Sequence, residues 1–332
     1  MTSTRSDGPD TQVAPVLTGP KRQHYLPQFF LKGFLGDDEC LAVFDRERNE
    51  IRRQQPVNTG AVGHLYTLTD DLGRQRFELE GALSQIEAAA SEHLPALFSG
   101  GQISVEARGA IAHFVGTLAT RTPEFIANIQ HLNGELIKAT SRILLSNEAQ
   151  ARHALAKNRD HAGLSEEELS RLARDLVDFA EGENYEVSTD AKWAMTMALP
   201  MGEQVAEIMA ERQWDVWRAP PRCAFVLSDA PVVLTTAARR SSNFMGLGFA
   251  SMDALVIVPL DSNHALAMHS GGRSNHLGTV SREAVRRVNL SVAKRTQRFL
   301  IGRDNPLVAS ISRAAGLEQT TWRPRMGTGF SR

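Results

Sequence analysis

The chain has 332 residues, 42% of them hydrophobic and 23% charged, with 37 basic against 38 acidic side chains. That length can bury one large core or divide into two domains, and the near balance of charge removes any global electrostatic drive toward nucleic acid or membrane, leaving only local basic patches. Cys40 and Cys223 stand outside any CxxC pair, so neither a disulfide scaffold nor a structural zinc site is indicated. The longest apolar run, Ala254 to Leu260, falls far short of the roughly 20 residues needed to span a bilayer, and the N-terminus lacks the apolar core of a signal peptide. The expectation is a soluble cytoplasmic protein with no membrane partner.

In chain order, residues 1–19 mix Thr, Ser, Gly, Pro and Asp without periodicity and predict a mobile tail ending at Gly19-Pro20. Leu41 to Phe44 reads as a strand, a second strand begins near Asn49 or Glu50, and His64 to Leu68 reads as a third. Leu83, Ile86 and Ala90 recur at helical spacing, with Pro95 marking an end. Ile111, Phe114, Val115 and Leu118 form the stripe of a further helix that Thr122-Pro123 ends or kinks before Phe125, Ile126 and Ile129 resume the pattern.

Another helix is expected over about 134–156, followed by the polar segment Lys157-Asn158-Arg159-Asp160. Ser165 and Glu168 form a capping box that starts a helix over about 166–180. Trp193, Met197, Met201 and Val205 recur every four residues and predict a buried helix face, interrupted at Pro200. Phe225–Leu227, Val232–Leu234 and Ala254–Val258 read as strands, and His264–Met268 as a hairpin partner of the last. Arg282 to Leu300 returns to helical spacing through Val285, Val288, Val292 and Phe299, and the chain ends in an irregular basic tail. The fold class expected is α+β: short N-terminal strands, a helical middle, and a C-terminal β-sheet with a helix. A single unit over 20–315 is expected, its division into lobes 20–180 and 181–315 left open, with 316–332 as the tail.

The segment Lys21-Arg22-Gln23-His24-Tyr25-Leu26-Pro27-Gln28-Phe29-Phe30-Leu31-Lys32-Gly33-Phe34 resembles the opening of a bacterial family described as DUF4238, a domain of unknown function. Arg121-Thr122-Pro123-Glu124-Phe125, Phe225 to Pro231, the apolar strand running into Pro259-Leu260, and a late helix carrying Asn289 also resemble that family. Together these pieces span most of residues 21–300. The resemblance implies a fold boundary; it brings no activity with it.

Four residues carry candidate chemistry. His24 has a reference pKa suited to proton transfer, and its alternative is a buried histidine bonded to backbone while Tyr25, Phe29 and Phe34 anchor the terminus. His113 and Arg121, eight apart, lie about 80 degrees from one another around one helix, with Thr117 between them. Arg121 could clamp a carboxylate or phosphate or form a helix-end salt bridge. Asp229, in Ser228-Asp229-Ala230-Pro231 at a strand end, could orient a histidine, bind a metal or act as a base, or could simply build a turn.

Glu80 and Glu87 share a helix face at a spacing equally common for solvated pairs. The histidines at 24, 64, 93, 113, 131, 153, 161, 264 and 269 form no HExxH or similar metal motif. Ser228 lacks a GxSxG elbow, and Asn243 to Phe249 is neither a Walker loop nor a dinucleotide fingerprint. A divalent metal is left open, and nothing supports NAD or ATP. The function expected is a hydrolytic or phosphodiester-directed enzyme using His24, His113, Arg121 and Asp229, with an anionic small molecule or nucleic acid as partner. The rival is a non-catalytic ligand-sensing or protein-interaction module built on the aromatic N-terminal segment and the helical surface.

Overall fold

A computed structural model describes residues 14–157, 163–182, 185–236 and 247–318. Most of the expected N-terminal tail, Asn158 to Asp160 with His161, Asn243 to Gly246, and the basic tail from residue 319 lie outside the described residues. The elements are β1 (Arg22–His24), α1 (Gln28–Lys32), β2 (Leu41–Asp45), β3 (Glu50–Gln54), β4 (Ala61–Gly63), β5 (Leu68–Thr69), β6 (Gln75–Arg76), α2 (Glu78–Phe98), α3 (Val105–Thr120), α4 (Pro123–Leu144), α5 (Glu148–Ala156) and α6 (Glu166–Glu181). They continue with α7 (Ala191–Ala210), β7 (Gln213–Arg218), β8 (Leu227–Ser228), β9 (Val233–Thr236), β10 (Ala254–Pro259), β11 (His264–His269), β12 (Asn275–Thr279), α8 (Arg282–Arg295), β13 (Phe299–Gly302) and α9 (Asn305–Ala314). The class is α+β.

Two sheets organise the chain. The larger has the order β12-β7-β11-β10-β9, antiparallel except for β12 on β7; the smaller has the order β3-β2-β13-β8, so it joins the first and last thirds of the sequence. On β10, Val256 and Val258 face a core shared with α2, α3 and α7, while Ile257 faces a second cluster with α8 and α9. A strand covered on both faces reads as an unbroken apolar run, which is why Ala254 to Leu260 stands out in the sequence.

The helical layer depends on one close approach. A methyl group on Gly116 of α3 would collide with the Gly202 carbonyl of α7 and sit 2.9 Å from the Ala206 nitrogen. Two glycines therefore let these helices cross almost backbone to backbone. The same contact sets the phase of α7. Its buried residues are Ala194, Met195, Ala198, Gly202, Val205, Ala206 and Met209, whereas Trp193, Met197 and Met201 are exposed. The expected stripe is thus corrected at Trp193, Met197 and Met201, while Val205 is buried as expected; small side chains go inward because α3 lies too close to admit Trp193 or Met197, and α7 runs through Pro200 without a break.

Other boundaries also differ from expectation. Pro95 lies inside α2, which continues to Phe98 before Gly100 turns with φ 75°. The helix expected over 134–156 is two helices, with Asn147 capping the second through the Gln150 N–H. His64 turns the chain with φ 52°, so strand β4 precedes it and β5 follows. The final helical run stops at Arg295, and Phe299 belongs to β13. Apolar periodicity discloses none of β1, α1, β6, β7, β12 and α9. Thr122 caps α4 with Pro123 in its first turn, and the capping box of Ser165 and Glu168 forms as its spacing predicts. No helix among the described residues is long and apolar enough to cross a membrane.

Candidate active site

The site begins on β1. Extended backbone places Arg22 and His24 on one face and Gln23 on the other, where it is buried and its Oε1 accepts the Tyr66 N–H at 2.6 Å. His24 is half-buried, and its Nε2 lies 3.2 Å from the Val57 carbonyl. A carbonyl can only accept, so Nε2 carries the hydrogen and Nδ1 is the basic nitrogen. Burial first, and then the charges of Arg22 and Arg121, lower the pKa of His24, against the opposing influence of the Val57 contact and Glu87.

Beneath the strand, Arg121 sits at the C-terminus of α3 with 1% of its surface exposed. Its Nε donates to the Tyr25 carbonyl at 3.0 Å, and its Nη1 donates to Glu87 Oε1 at 2.8 Å. Nη2 is buried with no hydrogen-bond partner among the described residues. The Tyr66 hydroxyl donates to the Arg121 carbonyl at 3.3 Å. Glu80, two turns before Glu87 on α2, is held toward its protonated form by burial and by Glu87, while Arg121 pulls it the other way. His24, Tyr66, Glu80, Glu87 and Arg121 therefore occupy one electrostatic neighbourhood.

Arg121 is buried, and of the two alternatives read from the sequence its Nη1 forms the salt bridge, with Glu87. It fixes Glu87 and the opening segment. Asp229 is likewise committed: Oδ1 accepts the Gln297 N–H at 2.9 Å, and Oδ2 accepts those of Arg298 at 2.6 Å and Phe299 at 3.1 Å. Burial raises its pKa to about 6 against these three amides. No hydrogen bond joins Asp229 to His24 among the described residues, and the turn reading is met by Ser228, whose Oγ donates to the Ala230 carbonyl at 3.0 Å. His113 gives its backbone carbonyl to the Thr117 hydroxyl at 2.8 Å. No hydrogen bond or ion pair links the His113 ring to the other three candidates among the described residues.

The resemblance segments nevertheless meet in space. Thr122, Glu124 and Phe125 of α4, Ala230 and Pro231 beside Asp229, and Arg295 at the end of α8 line a cavity of about 30 Å³, enough for a water molecule. Asn289 donates to the Ala224 carbonyl at 2.9 Å and accepts the Val226 N–H at 3.0 Å, tying α8 to the segment before β8. Tyr25, Phe30 and Phe34 are buried in the core with Phe114, 5.5 Å from Phe30. The aromatic opening is an anchor rather than an exposed surface.

Two further features escaped sequence reasoning. An open recess of about 510 Å³ is lined by Leu68, Thr69, Asp190, Lys192, Trp193 and Thr196, none of them a predicted site residue. On the large sheet, Asp215 lies 3.0 Å from His269 Nε2 and 3.3 Å from His276 Nδ1. The His269 Nδ1 faces the Ser270 carbonyl at 2.8 Å, so both of its ring nitrogens meet oxygen acceptors. The signal for this cluster was strand alternation, which puts Gln213 and Asp215 on one face. Among the described residues no group of three or more His, Cys, Asp or Glu side chains is arranged to hold a metal ion.

Fold and site together define an α+β protein with a histidine-and-carboxylate centre built around a buried arginine. The family model described as "Protein of unknown function (DUF4238)" matches residues 22–306, and the chain belongs to that family. No curated protein and no solved structure matches the chain.

Proposed function

We propose that the chain is a hydrolytic enzyme with phosphodiesters as its substrate class, and that His24 is its general base. The observation that carries this reading is the tautomer of His24, with Nε2 held by Val57 and Nδ1 left basic in the field of Arg22, Glu87 and Arg121. Arg22, exposed on the same strand face, is the cation within reach of an anionic substrate. Water attacking phosphorus would give a proton to Nδ1 of His24 as the P–O bond to the leaving group breaks. Glu80, held toward its protonated form, would give its proton to the departing oxygen. Arg121 is a positioning residue: it holds Glu87 and the Tyr25 carbonyl, and its positive charge helps keep His24 neutral.

The test is hydrolysis of bis-p-nitrophenyl phosphate by the purified full chain, alone and with added divalent metal. Arg22→Met is expected to raise KM with little change in kcat, because it removes binding without touching proton transfer. Activity should rise with pH through a midpoint below 6.5, the usual value for histidine, as His24 loses its proton. An inactive wild type toward phosphodiesters, phosphomonoesters and carboxylic esters would end this reading.

A further inference from the structure

Helix α4 is apolar on two sides. Its inner side buries Ile126, Ala127 and Gly134, which a helix on the surface of a folded body needs. Its outer side has no such reason. Phe125, Ile129, Leu132, Leu136, Ala139 and Ile143 recur at alternating spacings of four and three, the heptad pattern that makes a continuous seam for another helix. Phe125 and Ile129 are half-buried against the body of the protein, but beyond them the seam faces outward: Leu132 is 65% exposed, Leu136 62% and Ile143 72%. Ile137 and Leu144 are also exposed, but they lie about 100 degrees around the helix from the seam.

We infer that α4 is a self-association surface, on which a second copy of the chain packs antiparallel through the same half of its own α4. Two arguments select this occupant. The seam is self-complementary: run antiparallel, Leu136 faces the second copy's Ala139 and Leu132 faces its Ile143, a large side chain against a small or branched one in each layer. The flanking charges agree only in that orientation. Glu135, whose Oε1 lies 3.4 Å from Lys138 Nζ one turn on, and Arg142 occupy equivalent flanking positions, and between those two layers Glu135 falls opposite the second copy's Arg142, twice by symmetry. In a parallel pair Glu135 would instead meet Thr140.

Sedimentation velocity of the full chain across the micromolar range should give a species of twice the chain mass at the upper concentrations. Leu136→Glu and Ile143→Glu, both exposed in the single chain and therefore compatible with folding, are each expected to raise the dimer Kd by about tenfold or more. Circular dichroism would verify that each variant keeps its helices. Glu135→Arg alone should weaken the dimer, and the double reversal Glu135→Arg/Arg142→Glu should restore it. A wild type that stays single at every concentration, or a dimer untouched by Leu136→Glu, would overturn the surface; a double reversal that remains dissociated would overturn the antiparallel pairing.

Discussion

Replacing Asp229 by Asn separates the cost of burying its charge from the value of the hydrogen bonds it accepts. The interval from the ordinary carboxyl value of 3.8 to about 6 corresponds to about 3 kcal/mol. Because the folded-state pKa is the higher, the native state holds the proton more tightly, and this contribution to stability is complete below about pH 3.8 and lost as pH rises through about 6. Asn carries no charge to desolvate, but it has one acceptor oxygen where Asp has two. With that oxygen serving Arg298 and Phe299, the Gln297 N–H loses its acceptor, at a cost of about 1–3 kcal/mol. At neutral pH the two effects offset, and the variant should fall within about 2 kcal/mol of wild type. At pH 4 Asp229 is protonated, and the cost of burying its charge is gone from the wild type. Urea unfolding of both proteins from pH 7 to pH 4 should therefore show the stability difference moving by about 2.5 kcal/mol in favour of wild type. Taking the difference cancels every other titrating group. A difference that stays flat over this window would refute the reasoning.

Gly116→Ala should destabilise the protein by about 1–3 kcal/mol or more, read by chemical denaturation, because the added methyl meets the α7 backbone rather than a side chain that can swing away. In the same assay Met195→Ala should cost about 2–5 kcal/mol and Met197→Gln no more than about 0.5, which fixes the phase of α7 by experiment. Asn289→Ala removes both bonds between α8 and the approach to β8 and leaves the buried Val226 N–H without an acceptor, for an expected loss of about 2–3 kcal/mol. In an NMR titration the His24 imidazole should have a midpoint below 6.5, and Glu87→Gln should lower it further by removing the charge that supports the imidazolium.

What the sequence disclosed was local. The Ser165–Glu168 box and Pro123 in the first turn of α4 are fixed by neighbours three or four residues away, and the β10–β11 hairpin by the turn from Pro259 to Asn263. What stayed hidden was set across the chain. α7 offers two apolar stripes, and its glycine contact with α3 decides between them. β13 read as more helix because Phe299 falls seven residues after Val292, yet its pairing with β2, over 250 residues earlier, makes it a strand. At the site, His24 and Arg121 were visible as residue types, but the partner of Arg121 comes from α2, 34 positions away, and Glu87 was legible only as a solvent-face glutamate. Asp229 has the composition of a catalytic carboxylate. Its commitment to amides 68 to 70 residues later became apparent only in three dimensions.

The most direct test of the proposed chemistry compares phosphodiester hydrolysis by wild type, His24→Ala and Asp229→Asn at neutral pH, each after circular dichroism has verified its fold. His24→Ala is expected to lose at least about a hundredfold in kcat, the contribution of a general base, while Asp229→Asn retains activity near wild type. The reverse pattern, with His24 dispensable and Asp229 essential, would contradict the assignment of base and scaffold together.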